Sequence, residues 1–588
     1  MALAALGLAL LAGPALADCT LGKIAELPVA MSPGGQPLVS AKINGVDGKF
    51  IADTGGFFSM LTPASATKFG LHAGPMPGGD RVGGITGEAS VKLARANDFT
   101  VLGVTFHAVD FLVGEHALGP EADGLLGQNL LSAVDAEYDL ANGVIRLFKP
   151  MGCGSKALAY WAQDGAFSTL AISPIEPPGN EISGSATLNG QRIRVTLDTG
   201  SSRSILTLRA ARAAGVKTTG PDVISADVTG GIGPRRIDTW LAPFGSFEIG
   251  GEQIKSTHLR LGDIELSDAD MILGADFFLS HRVYVAKSQS KVYFTYNGGP
   301  VFNLDRPATA AATQPPAGAA PPPTATIAPA PDADEPKDAA GFSRRGAAFV
   351  ARRQFDRAID DFTKAAALEP NEPKHLDDRG MARWADRQPV LAMADFDAAL
   401  KLKPDDESAL MARGELRLAN KDQTGAREDF DHVLRLAPSV RLRVAGAYVR
   451  ADLFEDAVGQ FDQWIAEHPK DEDMAEALNR RCWARALWNR DLDKALADCD
   501  AALRLSPGLS SFLDSRGLVH LRRGELDLAI ADYDAVLREQ PKSAWSLYGR
   551  GLARLRKGDK TDGQADIQAA TALAPRLPDQ AKGLGLTP

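Results

Sequence analysis

The chain has 588 residues, 45% of them hydrophobic and 23% charged, with a net charge of −10. That length exceeds what a single hydrophobic core organises, so two or more domains are expected. An acidic balance with no clustered Lys/Arg block argues against nucleic acid as a partner, and more weakly against an anionic membrane surface.

The N-terminus opens with an apolar run, Ala2 to Ala12, followed by Gly13-Pro14-Ala15-Leu16-Ala17. Small residues at 15 and 17 form an A-x-A cleavage pattern, so residues 1–17 read as a signal peptide and Asp18 as the mature start. No Lys or Arg precedes the run, which is atypical of such signals. The run is too short to span a bilayer comfortably, and no later stretch qualifies, so the mature chain is expected to have no membrane span. Export to a periplasmic or extracellular space is expected. Four cysteines suit that oxidising setting. Cys19 and Cys153, which flank the first β-rich region, are expected to pair, as are Cys482 and Cys499. The plainer alternative is four small buried hydrophobes.

Residues 24–155 and 160–300 read as two β regions of short apolar alternations broken by Gly, Pro, Asn and Asp. They are near-copies. Asn44, Gly45, Asp53, Thr62 and Gly70 recur as Asn189, Gly190, Asp198, Thr207 and Gly215, all offset by 145 positions without a gap. In each copy an apolar strand (Phe50-Ile51-Ala52; Val195-Thr196-Leu197) runs into Asp-Thr-Gly, where glycine permits a tight turn. Downstream comes a glycine-rich hairpin tip, with Gly83 and Gly84 in one copy and Gly230 and Gly231 in the other. An apolar pair ending in glycine follows: Leu125-Leu126-Gly127 and Ile272-Leu273-Gly274.

Residues 305–339 are mostly Pro, Ala and Thr with no periodicity, a composition that forms a semi-extended tether reaching roughly 100 Å at ~3.1 Å per residue. Beyond it Pro370, Pro404, Pro438, Pro469, Pro507, Pro541 and Pro575 punctuate the chain, and four of their six spacings are 34 residues. Each unit has a small residue in its first helix (Gly346, Gly380, Gly414, Ala445, Gly517, Gly551), with Trp483 as the bulky exception. The second helix has a small residue followed four later by a large one, as in Ala358/Phe362 and Ala529/Tyr533. Period, small positions and terminal proline together are the tetratricopeptide pattern, about seven units over 340–576. Cys482 and Cys499 then sit on facing helices of the fifth unit. Arg345, Arg379, Arg413, Arg516 and Arg550 precede the small residues and are expected to form a solvated or carboxylate-paired ladder rather than ligand-reading side chains.

An Asp-Thr-Gly triplet by itself is usually only a turn. Two of them brought together by a duplication can do chemistry, because facing carboxylates cannot both ionise and so share one proton. The ionised one activates a water while the other protonates the carbonyl under attack. On these residues each half resembles a retropepsin-type aspartic protease unit, and the pair resembles a single-chain aspartic protease with two small lobes. The resemblance rests on the hydrophobic-Asp-Thr-Gly turns, the glycine-rich tips and the apolar-apolar-Gly strands. It implies two all-β acid-protease lobes in tandem, followed here by an all-α tetratricopeptide superhelix. By that resemblance Asp53 and Asp198 are the catalytic pair, and Thr54 and Thr199 hold the turns together across the lobes. Gly55, Gly200 and Ser201 complete the turns, and Gly83, Gly84, Gly230 and Gly231 belong to flaps. The chain is expected to be an exported aspartic endopeptidase needing no metal or cofactor. It would act on a peptide or protein substrate and hold a protein partner in the tetratricopeptide groove. The alternative is an inactive peptide-binding scaffold that works through its repeats. Two departures stand out: Gly56 replaces the usual Ala, Ser or Thr, so only Ser201 keeps a hydroxyl to steady its carboxylate, and neither flap carries the Tyr of pepsin-like enzymes. Asp110, Asp123 and Asp270 read as turn or strand-end residues. Zinc-ligand histidine spacing, a G-x-S-x-G elbow and a P-loop are all missing from the sequence.

Overall fold

The computed structural model describes residues 19–76, 81–85, 87–114, 121–132, 134–162, 166–173, 181–218, 222–226, 237–266, 268–298, 301–302, 335–469, 471 and 473–587. The expected signal peptide, residues 305–334 of the expected tether, and the second glycine-rich tip with Gly230 and Gly231 lie outside the described residues.

Ahead of its Asp-Thr-Gly turn each β region has a hairpin whose turn chemistry is set by Asn-Gly. Strands Pro37–Ile43 and Val46–Ala52 pair antiparallel, as do Ser183–Leu188 and Gln191–Leu197. At the turns Asn44 (φ 51°) and Gly45 (φ 82°), and Asn189 (φ 47°) and Gly190 (φ 80°), take the two left-handed conformations of a tight hairpin turn. The asparagine side chains also tie the turn to the lobe. Asn44 Nδ2 donates to the Phe69 carbonyl and Asn189 Nδ2 to the Ala214 carbonyl, both at 3.2 Å.

The hairpins nucleate a nine-stranded sheet in the first region and a seven-stranded sheet in the second. A third sheet of six strands takes members from both. At its centre Asp135–Asp139 pairs antiparallel with His281–Ala286, and Glu137 faces Tyr284, its counterpart at the 147-residue offset that also relates Gly127 to Gly274. The local two-fold axis of the duplication therefore passes between these two strands. Phe50, Phe111, Phe247 and Phe277 belong to one continuous apolar core that spans both copies. The halves thus form one body with a two-fold axis. Cys19 and Cys153 are bonded to each other beside the six-stranded sheet, and Cys482 is bonded to Cys499 in the helical region.

From Ala339 onward the described residues are helical: seven antiparallel pairs, from Ala339–Ala351 with Phe355–Leu368 to Ala544–Lys557 with Lys560–Leu573, then a closing helix Leu577–Gly583. Small residues face large ones 16 positions on. A Cβ on Gly346, Gly380 or Gly414 would lie 2.7, 2.7 or 2.6 Å from the ring of Phe362, Phe396 or Phe430. In the fifth unit this contact is made by Cys482 and Cys499, so the disulfide fills the slot that glycine and an aromatic fill elsewhere. That corrects the sequence alignment: Cys482, not Trp483, holds the small position. The helix-one arginines do form a carboxylate ladder. Arg379 grips Asp395 through Nε and Nη2 (3.1 and 2.7 Å), Arg413 grips Asp429, Arg481 grips Asp498, Arg516 grips Asp532 and Arg550 grips Asp566. Arg413, Arg516 and Arg550 also reach back to Asp397, Asp500 and Asp534 of the preceding unit. The fourth unit loses both members together, with Val444 and Gln460 in their places.

The array does not hang free on a tether. Ala348 of its first helix belongs to the same core as the two β regions, and the guanidinium of Arg352 donates to the carbonyls of Asn297 and Gly298. At the far end Ser225 Oγ donates to Gln540 Oε1 (3.1 Å) and Lys542 Nζ reaches the Val223 carbonyl (3.4 Å).

Removing one acid from the ladder exposes its worth. Asp395 is 3% exposed and accepts from Arg379 and Arg383. Asp395→Ala is expected to cost about 3–5 kcal/mol, because it leaves desolvated guanidinium groups without their acid. Denaturant titration of the full chain followed by helical circular dichroism measures this, with Asp395→Asn recovering part of the loss.

Candidate active site

Strands Phe50-Ile51-Ala52 and Val195-Thr196-Leu197 are each covered by a parallel strand, Gly124–Leu126 and Met271–Leu273. The covering strands end in Gly127 and Gly274, which pass directly behind the Asp-Thr-Gly turns. A Cβ on Gly127 would sit 2.6 Å from the Phe58 backbone and 2.7 Å from the Gly56 oxygen. On Gly274 it would meet Arg203 and Ser201 backbone atoms at 2.5 and 2.7 Å. Only glycine fits at these two points.

The turns project Asp53 and Asp198 toward each other. Asp53 Oδ1 accepts from the backbone N–H groups of Gly55 and Gly56, both at 2.9 Å, and Asp198 Oδ1 accepts from those of Gly200 (2.9 Å) and Ser201 (3.1 Å). Each carboxyl lies against the opposite turn, which leaves no spare room: a Cβ on Gly55 would overlap the Asp198 carboxyl, and one on Gly200 the Asp53 carboxyl. Between the turns lies a reciprocal set of threonine bonds. Thr54 N–H donates to Thr199 Oγ1 (3.0 Å) and Thr199 N–H to Thr54 Oγ1 (2.9 Å). The two hydroxyls donate onward, to the carbonyls of Leu197 (2.9 Å) and Ala52 (2.5 Å) in the opposite lobe. Both threonines are fully buried.

Electrostatics follow from this packing. Burial raises the pKa of Asp53, opposed by Asp198 and by its backbone donors. Burial, followed by the charge of Asp53, pushes Asp198 well above the ordinary carboxylate range. The pair thus holds a proton that isolated aspartates would have lost.

Comparison with known proteins agrees with the geometry. An aspartyl protease family model matches residues 39–130 and again 184–277, and a tetratricopeptide repeat model matches 343–407, 378–440 and 515–578. The front of the chain is a tandem aspartyl-protease unit, and the back is a tetratricopeptide array. Among solved structures the chain is similar to a tetratricopeptide repeat protein from Parabacteroides merdae ATCC 43184, a match that covers 42% of this chain and 96% of that one at 17% identity, with a TM-score of 0.36. Comparison with curated proteins found no match. The repeat model passes over 441–514, which holds the unit without its ladder pair and the unit with the disulfide.

Several residues that shape the protease unit escaped the sequence reading. Ser59 donates through N–H and Oγ to Asn129 Oδ1 (2.8 Å each), and Gly127 N–H donates to Ser59 Oγ. The second lobe repeats this with Ser204, Asp276 and Gly274, Ser204 Oγ lying 2.6 Å from Asp276. Burial raises Asp276 to about 6 while its bonds to Ser204 pull it down. The available signal was the polar residue two places after each strand-end glycine. One further device breaks the symmetry. Gln128 Nε2 donates to the Thr54 carbonyl, and Lys287 of the other lobe donates to Gln128 Oε1, both at 2.8 Å. In the second lobe the position after the strand-end glycine is Ala275, which has no such group.

The glycine-rich tip of the first lobe is a hairpin, Arg81–Gly84 paired with the start of Gly87–Val101, and includes Gly83 and Gly84. Beyond it Ile85 packs against Ile205, Ile237, Ile264 and Ile272 of the second lobe. The hydroxyl of Ser201 donates to the Arg203 carbonyl at 2.9 Å, so it is its backbone N–H that steadies the Asp198 carboxylate. Across the pair, Gly56 has no room for more: a Cβ there would lie 2.8 Å from Asp53 Oδ2. Asp110 pairs with Arg95, and Asp123 and Asp270, each just before a strand, accept from the backbone N–H groups of Lys49 and Arg194 within the neighbouring strands.

A carboxyl whose pKa is raised by folding binds its proton more tightly in the folded state. Its stabilising contribution is complete in acid, below the unfolded value, and fades as pH rises through the folded one. Asp198→Asn carries no such charge. The variant is expected to have a higher melting temperature than the parent at neutral pH, with the gap closing in acid; a series of thermal melts across pH measures it.

Proposed function

We propose that this chain is an exported aspartic endopeptidase whose tetratricopeptide array recruits a protein. The reading rests on one observation above all: Asp53 and Asp198 each lie against the opposite Asp-Thr-Gly turn, on turns clamped by reciprocal threonines within one chain. With one proton on the pair, the ionised carboxylate takes a proton from a water held between them. The oxygen of that water attacks the scissile carbonyl carbon, and the protonated carboxyl donates to the carbonyl oxygen. Collapse of the tetrahedral species, with proton transfer to the amide nitrogen, breaks the C–N bond and restores the shared proton. No covalent enzyme intermediate is required.

The bonded cysteine pairs Cys19–Cys153 and Cys482–Cys499 suit an exported chain. Among the described residues no helix is long and apolar enough to cross a membrane.

Asp53→Asn and Asp198→Asn, each in the full chain, are expected to slow peptide cleavage by roughly a hundred- to ten-thousand-fold. A single variant cutting at the parent rate would falsify the assignment. The pH–rate profile of the parent is expected to be bell-shaped, falling in acid when both carboxyls are protonated and in base when both are ionised. Because burial raises Asp198, the active form extends above the ordinary carboxylate range. Steady-state cleavage of a fluorogenic peptide across pH tests this.

A further inference from the structure

The face formed by the first helices of units five, six and seven (Met474–Trp488, Ser510–Arg523 and Ala544–Lys557) carries a small cavity. It is lined by Trp483, Asp514, Trp545 and Tyr548, with Leu552 and Leu586. The rings of Trp483 and Trp545 stand perpendicular with centroids 6.2 Å apart. Asp514 lies two residues before the ladder arginine Arg516, at the register held by Ser343, Asp377, Met411, Leu442, Asn479 and Tyr548 in the other units. Arg516 itself is engaged by Asp532 and Asp500. What holds the Asp514 carboxylate is a serine: Ser546 Oγ donates to its Oδ1. Burial raises the group to about 6, with that serine bond the one influence opposing it. A carboxylate in an aromatic wall, held by a neutral hydroxyl, favours a cation brought from outside.

Size narrows the choice. The cavity of about 10 Å³ admits one water-sized group. An ammonium has that size, whereas a guanidinium is a larger planar fork. We propose that this cavity takes the ammonium group of a lysine from a protein segment bound along the array. Asp514 accepts its hydrogen bond, and the two indoles face its charge. The proposal is independent of whether the protease unit cleaves peptides.

The test uses the full chain and three labelled pentapeptides, Gly-Ser-X-Ser-Gly with X lysine, arginine or norleucine, titrated by fluorescence anisotropy. At pH 7.5 the lysine peptide is expected to bind about tenfold tighter than the other two. That preference should vanish in Asp514→Asn and in Trp545→Leu, with folding of both checked by circular dichroism. It should also shrink as pH falls below about 6, where Asp514 loses its charge while lysine keeps its own. A structural role for Asp514 alone predicts none of this. Equal binding of lysine and norleucine, equal binding of lysine and arginine, no binding of any, or a preference that survives Asp514→Asn overturns the proposal.

Discussion

Two acidic side chains repel each other, and everything in the front half of this chain answers that repulsion. The threonine bonds between the turns are its counterweight: four buried contacts, each reaching from one lobe into the other, at the point where the carboxyls meet. Water cannot compete for these groups because both threonines are fully buried. The backbone N–H groups that hold one oxygen of each aspartate then orient the carboxyls toward each other. Glycines behind and within the turns make the approach sterically feasible, and the shared six-stranded sheet beneath fixes the two-fold relation of the lobes.

The helical half solves a related problem by other means. The acids of its ladder are neutralised outright, by arginines 12 to 17 residues away in the same unit. Charge pairing there sets the register between helices, while the glycine–aromatic contact sets their distance. Unit four, which dropped arginine and aspartate together, shows that the ladder is dispensable as a pair. Half of it would leave a desolvated charge.

Much of this was legible in the residues. The duplication carried the hairpins and turns at an offset of 145 and the strand-end glycines at 147, because backbone geometry there tolerates few residue types. The 34-residue period carried the helix pairs for the same reason. What escaped detection depended on contacts across long separations. Gln128 and Lys287 are 159 positions apart, and Gln36 reaches the Gly200 carbonyl over 164. No local pattern marks such partners. The fifth unit was misaligned by one residue because a disulfide took over a packing role that pattern matching assigns to glycine. The Pro/Ala-rich composition of 305–339 suggested independent halves, and composition is silent about the apolar surface at either end of a tether.

That surface changes what the tether is for. With Ala348 in the common core and Arg352 bonded to the Asn297 and Gly298 carbonyls, the joint between the halves is made by side chains, not by the intervening peptide. Cutting the backbone within 303–334 would therefore leave two fragments still joined by those contacts.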